Sequence, residues 1–243
     1  MVKFYESSYS YDYSFPAVTL AYFLRYPNPY STHVLSTDVI SRSIDSAGRL
    51  QTTRLHRKSS KLPSAVLNLL PKSVLGSVRG GRSETFILET STIDVEEGWM
   101  RTESKNLDWT GILSVVEKQE YKRLLPVDEG DDFSVGAGTT NVLSTVVCRS
   151  RLGDRLRARA TRKGEAAPVE GEEEPKRSFF ASWSKTGIQR SIEAIASRKT
   201  ESQLGKSKEG MMVVLERLRR GGLVGVLEGM RKDQKLVYGQ GGT

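Results

Sequence analysis

One cysteine, Cys148, and two histidines, His33 and His56, are the whole supply of thiol and imidazole in 243 residues. A single thiol makes no internal disulfide and excludes a cysteine-based zinc site, which needs several thiolates. The histidines carry no carboxylate spacing of a metalloenzyme around them, so no metal site is expected. No run reaches the roughly 18 consecutive apolar residues of a membrane span. Neither G-x-S-x-G nor a P-loop occurs, which argues against an enzyme and against a nucleotide cofactor. The N-terminal "MVKFYESSYSYDYSF" lacks both the apolar core of a secretory signal and the arginine-rich, acid-poor character of a mitochondrial presequence. A soluble chain is expected, one that would enter an organelle without a cleavable signal.

Positive charge is what the chain has in excess, with a formal net of +8. Charge of this sign suits nucleic acid, an anionic membrane surface or an anionic small ligand, and does not choose among them. The hydrophobic fraction of 37% allows one core but leaves some of the chain outside it.

Alternation of Tyr and Ser over residues 3–13 predicts a strand. Ser14 and Pro16 predict a helix start, and the helix runs to about Leu24, ahead of Pro27. It is apolar nearly all round and is therefore expected to be buried. From Val34 to Leu125 the chain reads as strands: "HVLSTDVISRSI", "RLQTTRLHRK", "ETFILETSTIDV", "WMRTESKNLDW" and "ILSVVEKQEYKRL". "DSAG" and "DVEEG" read as hairpin turns, and "TTNVLSTVVCRSRL" is the last strand. Seven strands with short connections imply an antiparallel sheet.

Three stretches depart from this pattern. "SSKLPSAVLNLLPKSVLGSVRGGRS" carries Leu62, Pro63, Val66, Leu67, Leu69 and Leu70, and reads either as a small capping helix or as a mobile apolar lid. Residues 149–177 pass from a basic block to an acidic one and read as a disordered insertion. From Ser178 a long helix is expected to end near Gly221-Gly222, leaving 221–243 as a flexible tail on a single domain over 1–220.

Within the long helix, Ile188, Ile192 and Ile195 share a face that continues as Lys199, Gln203 and Lys206, then Gly210, Val213 and Val214. Lysines on a helix usually face water, but here the apolar stripe returns in register beyond them. On the strand "LQTTRLHRKS", Leu50, Thr52, Arg54, His56 and Lys58 share one face. An edge strand kept soluble by charge is the rival reading. Arg25, His33, Arg54, Lys58, Lys61, Lys199 and Lys206 together suit one anionic group, and a phosphate fits, bidentate to arginine and as a point charge to lysine.

The segments "RYPNPYSTHVLSTD", "GRLQTTRL", "KLPSAVLNLLP", "ILETSTIDV", "ESKNLDWTGILSVVEKQEY" and "GKSKEGMMVVLERL" resemble the PRELI/MSF1 domain family of mitochondrial lipid-transfer proteins. The resemblance covers about residues 1–148 and 178–220, and "RYPNPY" with "TTRL" is most similar to the phosphatidic acid-carrying branch. It implies an α+β fold, a curved seven-stranded antiparallel sheet gripping helices around a lipid cavity (helix-grip, START-like). It implies the mitochondrial intermembrane space, and a heterodimer with a small protein bearing twin Cys-x9-Cys motifs. It implies phosphatidic acid as ligand, passed between outer and inner membranes in support of cardiolipin synthesis, an anionic membrane surface as a further partner, and no nucleic acid. Carried onto this chain, the head-group residues are Arg25, His33, Arg54, Lys58, Lys61, Lys199, Gln203 and Lys206. Gln203 stands where the family pattern has asparagine, and Ala65 where some relatives carry a bulkier lid aromatic.

Three alternatives stand beside this reading. A carrier of the same fold would serve phosphatidylserine. A nucleic-acid-binding protein would show a contiguous basic face with exposed aromatics. An enzyme acting on lipid or phosphate would need paired carboxylates, for which Asp38, Asp108 and Glu117 are the candidates.

Overall fold

The computed structural model describes residues 2–61, 78–79, 82–111, 113–124, 138–150 and 179–239, the side chains of 60, 61, 78, 79, 150, 179–204 and 236–239 aside. Along the chain run β1 (Val2–Tyr11), α1 (Phe15–Phe23), a 3-10 turn (Pro29–Ser31), β2 (Val34–Ile44), β3 (Leu50–Lys61), β4 (Val78–Arg79), β5 (Arg82–Asp94), β6 (Trp99–Asn106), β7 (Leu113–Arg123), β8 (Thr140–Ser150) and a helical run Phe179–Gly239. The strands form one antiparallel sheet in the order β1-β8-β7-β6-β5-β3-β2, with the two-residue β4 added on β5. The seven long strands are those the alternating pattern predicts.

The turns follow from their residues. Asp45 Oδ1 accepts from the amides of Ala47 and Arg49 at 2.9 and 3.0 Å, and Gly48 takes φ +79° at the end of the β2–β3 turn. Asp94 Oδ1 accepts from the Glu97 amide at 3.0 Å, and Gly98 takes φ +70° in the β5–β6 turn.

α1 joins the two edge strands, β1 and β2, and so must cross one face of the sheet. Ser14 stands at its N-cap with Pro16 in the first turn, and Phe15, Ala17, Val18, Ala21 and Tyr22 are buried. Tyr22 meets Tyr121 of β7 edge to face, with ring centroids 5.7 Å apart. This inner face is layered by the cross-strand register. One row, Leu50–Ile93–Met100–Tyr121–Val142–Tyr9, is apolar. The next, Thr52–Ser91–Thr102–Gln119–Ser144–Ser7, is polar, and all but Ser7 are buried. Beyond it comes Arg54–Glu89–Ser104–Glu117–Val146–Tyr5. The apolar row packs with α1 and with Met211, Val214, Leu215 and Leu218 of the long helix into one core.

The helical run does not stop at Gly221-Gly222. Gly222 has φ +57° and ψ −154°, which breaks the run into α2 before it and α3 after it. Arg217 donates to Asp233 Oδ2 at 2.6 Å across a separation of 16 residues. A straight helix would place them about 24 Å apart, so α3 folds back against α2. Val226 and Asp233 are buried. The expected flexible tail from 221 is therefore a packed helix as far as its described residues reach. The glycines read as a stop are instead the corner of a helical hairpin. Of the insertion read at 149–177, Arg149 and Ser150 belong to β8 and residues 151–177 lie outside the described residues.

Candidate functional site

Arg25 follows the C-terminal turn of α1, and Arg54 lies on β3 directly opposite Glu89 of β5. All three are buried. Glu89 Oε1 accepts from Arg54 Nε at 2.7 Å and also from Arg54 Nη2, while its Oε2 accepts from Arg25 Nη2. Arg54 Nη1 donates to the Phe23 carbonyl at 3.0 Å, which satisfies an orphan group at the negative end of α1. The Arg25 guanidinium lies 4.0 Å from the Tyr22 ring centroid and 4.8 Å from that of Tyr26. The Arg25 backbone is held by Asn28, whose side chain donates to the Arg25 carbonyl at 2.5 Å and accepts from the Tyr30 amide at 2.9 Å.

His56 completes the cluster. Its Nδ1 is 2.9 Å from Thr37 Oγ1, its ring meets that of Tyr26 at 5.4 Å, and its Nε2 lies 3.2 Å from Glu89 Oε2. Burial pushes the His56 ring below its ordinary 6.5, with the two arginines adding to the effect and Glu89 opposing it. His56 is thus neutral at pH 7. Burial alone would raise the Glu89 carboxyl, but Arg25, His56 and Arg54 together outweigh it and hold the group well below 4.5. Two guanidiniums against one carboxylate leave this cluster one positive charge in excess, with half-buried Glu117 the next carboxylate in the same row, two strands on. The α1 carbonyls offset only part of it. Arg25 Nε and Thr52 Oγ1, both buried, have no hydrogen-bond partner among the described residues.

The other sequence-predicted residues are placed as follows. Lys58 is half-buried and continues the inner face of β3 beyond His56. His33 is half-buried beside it, its carbonyl accepting from the Ser59 amide at 2.8 Å. Lys206 is exposed and is not drawn into the cluster. Lys208 reaches the sheet instead, its Nζ 5.1 Å from the Tyr9 ring. The side chains of Lys61, Lys199 and Gln203 lie outside the described residues, as do the lid residues Leu62, Pro63, Val66, Leu67, Leu69 and Leu70. The structure therefore brings together Arg25 and Arg54, with Lys58 about 13 Å further along β3 and His33 at that same end beside Ser59.

Sequence reasoning missed Glu89 and left His56 out of the site. Two of the cations taken to await an outside anion share this carboxylate of the chain itself. The signal was present: Ile87, Glu89, Ser91 and Ile93 alternate, and the two isoleucines mark the face to which Glu89 belongs. The three carboxylates weighed for catalysis do not pair. Asp38 is exposed, Asp108 accepts from the Phe86 amide at 2.6 Å, and Glu117 accepts from Gln119 at 2.8 Å.

Two grooves flank these elements. One of about 250 Å³ lies beside Tyr26, Pro27 and Val34 to Thr37, with Gln234 of α3 at its edge. The other, about 430 Å³, lies over β5 to β8 and is lined by Thr90, Arg101, Lys118, Glu120 and Leu143 among others. Its charges are tied across strands, Arg101 to Glu120 at 2.9 Å and Lys118 to Glu103 at 3.3 Å.

Residues 16–126 match the model of the PRELI-like family. The chain is 43% identical over 122 residues to "Protein UPS1, mitochondrial" of Saccharomyces cerevisiae, covering 50% of this chain and 65% of that protein. It is 33% identical over 122 residues to "PRELI domain-containing protein 1, mitochondrial" of Bos taurus, covering 50% and 52%. The matched stretch thus spans about half of this chain and less than two thirds of these relatives. Among solved structures, the Zhui aromatase/cyclase of Streptomyces sp. R1128 aligns with a TM-score of 0.43 at 11% identity over 92% of this chain and 99% of that one. Ara h 8.0201 aligns with a TM-score of 0.39 at 12% identity over 89% and 99%. The fold described above stands on its own strand order and register. The match to the PRELI-like family model runs through residues 16–126, which hold α1 from Pro16 onward, most of the sheet and the Arg25–Arg54–Glu89 cluster.

Proposed function

We propose that the chain is a phospholipid transfer protein that carries phosphatidic acid between the mitochondrial outer and inner membranes and so supports cardiolipin synthesis. It makes and breaks no bond. It works in the intermembrane space as the heterodimeric partner of a small twin Cys-x9-Cys protein and meets anionic membrane surfaces peripherally. The relatives named mitochondrial support the organelle.

The observation that carries the reading is the excess positive charge buried at Arg25 and Arg54, with half-buried Lys58 and His33 at the end of β3 beyond them. A buried charge without a counter-charge is costly, and a phosphomonoester entering from the Lys58 side relieves that cost. Glu89 holds the two guanidiniums rigid, so they act as a fixed positive field, while Lys58 supplies the flexible point charge. Withdrawing the acyl chains from a bilayer costs about 0.8 kcal/mol per methylene, and apolar protein surface must return most of it for pick-up and release to balance.

The test is liposome-to-liposome transfer of fluorescent phosphatidic acid by the chain purified with its partner. Lys58→Glu leaves the buried cluster intact and is expected to cut transfer about tenfold or more, the scale of one lost charge-assisted contact. Unchanged transfer with Lys58→Glu removes this end of the sheet from the site. Phosphatidylserine in place of phosphatidic acid, run in parallel, discriminates the second lipid reading. A nucleic-acid reading needs exposed aromatics set among basic groups; Tyr11, Tyr13, Tyr22 and Tyr121 are in the core, while Phe4, Tyr30 and Phe86 are exposed. A gel shift at physiological salt tests it directly.

A further inference from the structure

The corner between α2 and α3 carries an apolar tip that the core does not use. Leu223, Val224 and Leu227 are 50%, 67% and 43% exposed, although they sit one turn from fully buried Val226. The positions of Gly221 and Gly222 have nothing within 4 Å of where a Cβ would stand, so the corner projects from the body. Glu216 accepts from Tyr13 at 3.0 Å, where β1 passes into α1. Gly222 lies about 9 Å further along the helix axis.

The exposed charges around the tip are mostly positive, although Arg220 also pairs with Glu216 at 3.2 Å. Arg219 and Arg220 precede it, and Arg231, Lys232 and Lys235 follow it on α3, all exposed. Glu228 is the one exposed acid among the described residues from 217 to 235, since Asp233 is buried against Arg217. Apolar side chains at the apex with a cationic collar one to two turns behind match a bilayer interface: the apex enters the acyl boundary and the long basic side chains reach lipid phosphates. A large apolar patch exposed at a projecting corner is otherwise a liability in a soluble protein.

We propose that this hairpin corner is the docking surface for an anionic lipid bilayer. The inference goes beyond the carrier reading and does not need it, because the corner is far from the charged cluster. Tyr13, which holds Glu216 of α2, follows the end of β1 where Tyr11, Thr140 and Arg123 pair, on the side of the Leu50–Ile93 row away from Lys58. Lys58 is eight residues beyond Leu50 along β3, about 26 Å away. The corner therefore anchors the protein, and the lipid site stands apart from the anchor.

The test uses the full chain with its partner, carrying Cys148→Ala and Val224→Cys, the new thiol labelled with an environment-sensitive fluorophore. Vesicles are phosphatidylcholine with or without phosphatidylglycerol, so that no phosphatidic acid is needed. Anionic vesicles are expected to shift the probe emission to the blue, spin-labelled acyl chains to quench it, and neutral vesicles to do neither. Arg219→Glu with Arg220→Glu, and separately Leu223→Ser with Val224→Ser and Leu227→Ser, are expected to weaken vesicle binding about tenfold. Vesicle binding with an unshifted probe overturns the proposal, since docking then lies elsewhere. So does a blue shift produced by protein alone, which makes the corner a protein interface. Loss of lipid transfer with Lys58→Glu but intact docking, or the reverse, separates this proposal from the carrier reading.

Discussion

Arg54 and Glu89 face each other directly across the β3–β5 pair, and the carboxylate that Arg54 holds at 2.7 Å is the same one that holds Arg25. One buried acid thereby joins the end of α1, the centre of β3 and the centre of β5. It also orders the two guanidiniums on which the positive field of the inner face depends.

Replacing Glu89 by Gln is expected to destabilise the protein more than any single loss at the surface. The amide keeps the shape but leaves two buried guanidiniums facing each other without a counter-charge. Breaking a buried ion pair from one side costs about 3–5 kcal/mol. Surface pairs such as Lys118–Glu103, with the lysine 66% exposed, contribute about 0–1 kcal/mol. Urea unfolding monitored by circular dichroism measures both. A Glu89→Gln variant as stable as its parent would mean that the cluster is solvated and carries no excess charge.

Acid is expected to weaken the fold in two stages, through His56 first. Burial pushes its pKa below 6.5, so the folded protein keeps the ring neutral while the unfolded chain takes up a proton. Its contribution is whole above pH 6.5 and is lost as the pH falls toward the folded value. Glu89 acts on the same side: its carboxyl sits well below 4.5, so its contribution is present above 4.5 and is lost only in stronger acid. The urea midpoint should therefore fall between pH 7 and pH 5, by up to about 1.4 kcal/mol per pH unit per proton. His56→Gln should flatten that slope even where the variant is less stable overall. An unchanged slope would mean that His56 does not carry the titration.

Asp233 is expected to control whether α3 stays on α2. Its side chain is 6% exposed and meets Arg217 at 2.6 Å. A hydrogen bond between charged groups at such a site contributes about 1.5–3 kcal/mol. With Asp233→Asn, hydrogen exchange at the amides of residues 223–235 should accelerate by about tenfold or more while β3, β5 and β7 keep their protection. Equal acceleration across the sheet would show that the hairpin and the core unfold as one unit.

The sheet was legible because its information is local. Strand bounds fall within about three residues of the alternating pattern, and Asp45, Gly48, Asp94 and Gly98 each mark a turn through their own backbone needs. α1 was legible from Ser14, Pro16 and Pro27 for the same reason. The charged cluster was half legible. Arg25 and Arg54 stand out as cations in apolar surroundings, but their partner is 64 and 35 residues away, and register is a non-local property. The α2–α3 corner was misread because two adjacent glycines end a helix and turn a corner by the same conformational freedom. Only Val226, Met230 and Asp233 beyond them, spaced for one helix face, tell the two apart.

Gly210 and Gly205 offer a paired check on how tightly α2 is seated. Both are helical, and replacing either by Ala removes the entropic cost of glycine, a gain of about 0.8–1 kcal/mol. At Gly205 a new Cβ meets nothing within 4 Å, so Gly205→Ala should stabilise by that amount. At Gly210 it would come within 2.8 Å of Asn28 Nδ2 and 3.0 Å of its Oδ1. Asn28 cannot step aside cheaply, because the same amide holds the Arg25 carbonyl and the Tyr30 amide. Overpacking of this kind costs about 1–3 kcal/mol, which exceeds the helix gain, so Gly210→Ala should destabilise. It should also displace Arg25 and lower lipid transfer more than its stability loss explains. If Gly210→Ala instead raises the urea midpoint as Gly205→Ala does, α2 is not packed on the Arg25 loop, and the link from helix to charged cluster through Asn28 fails.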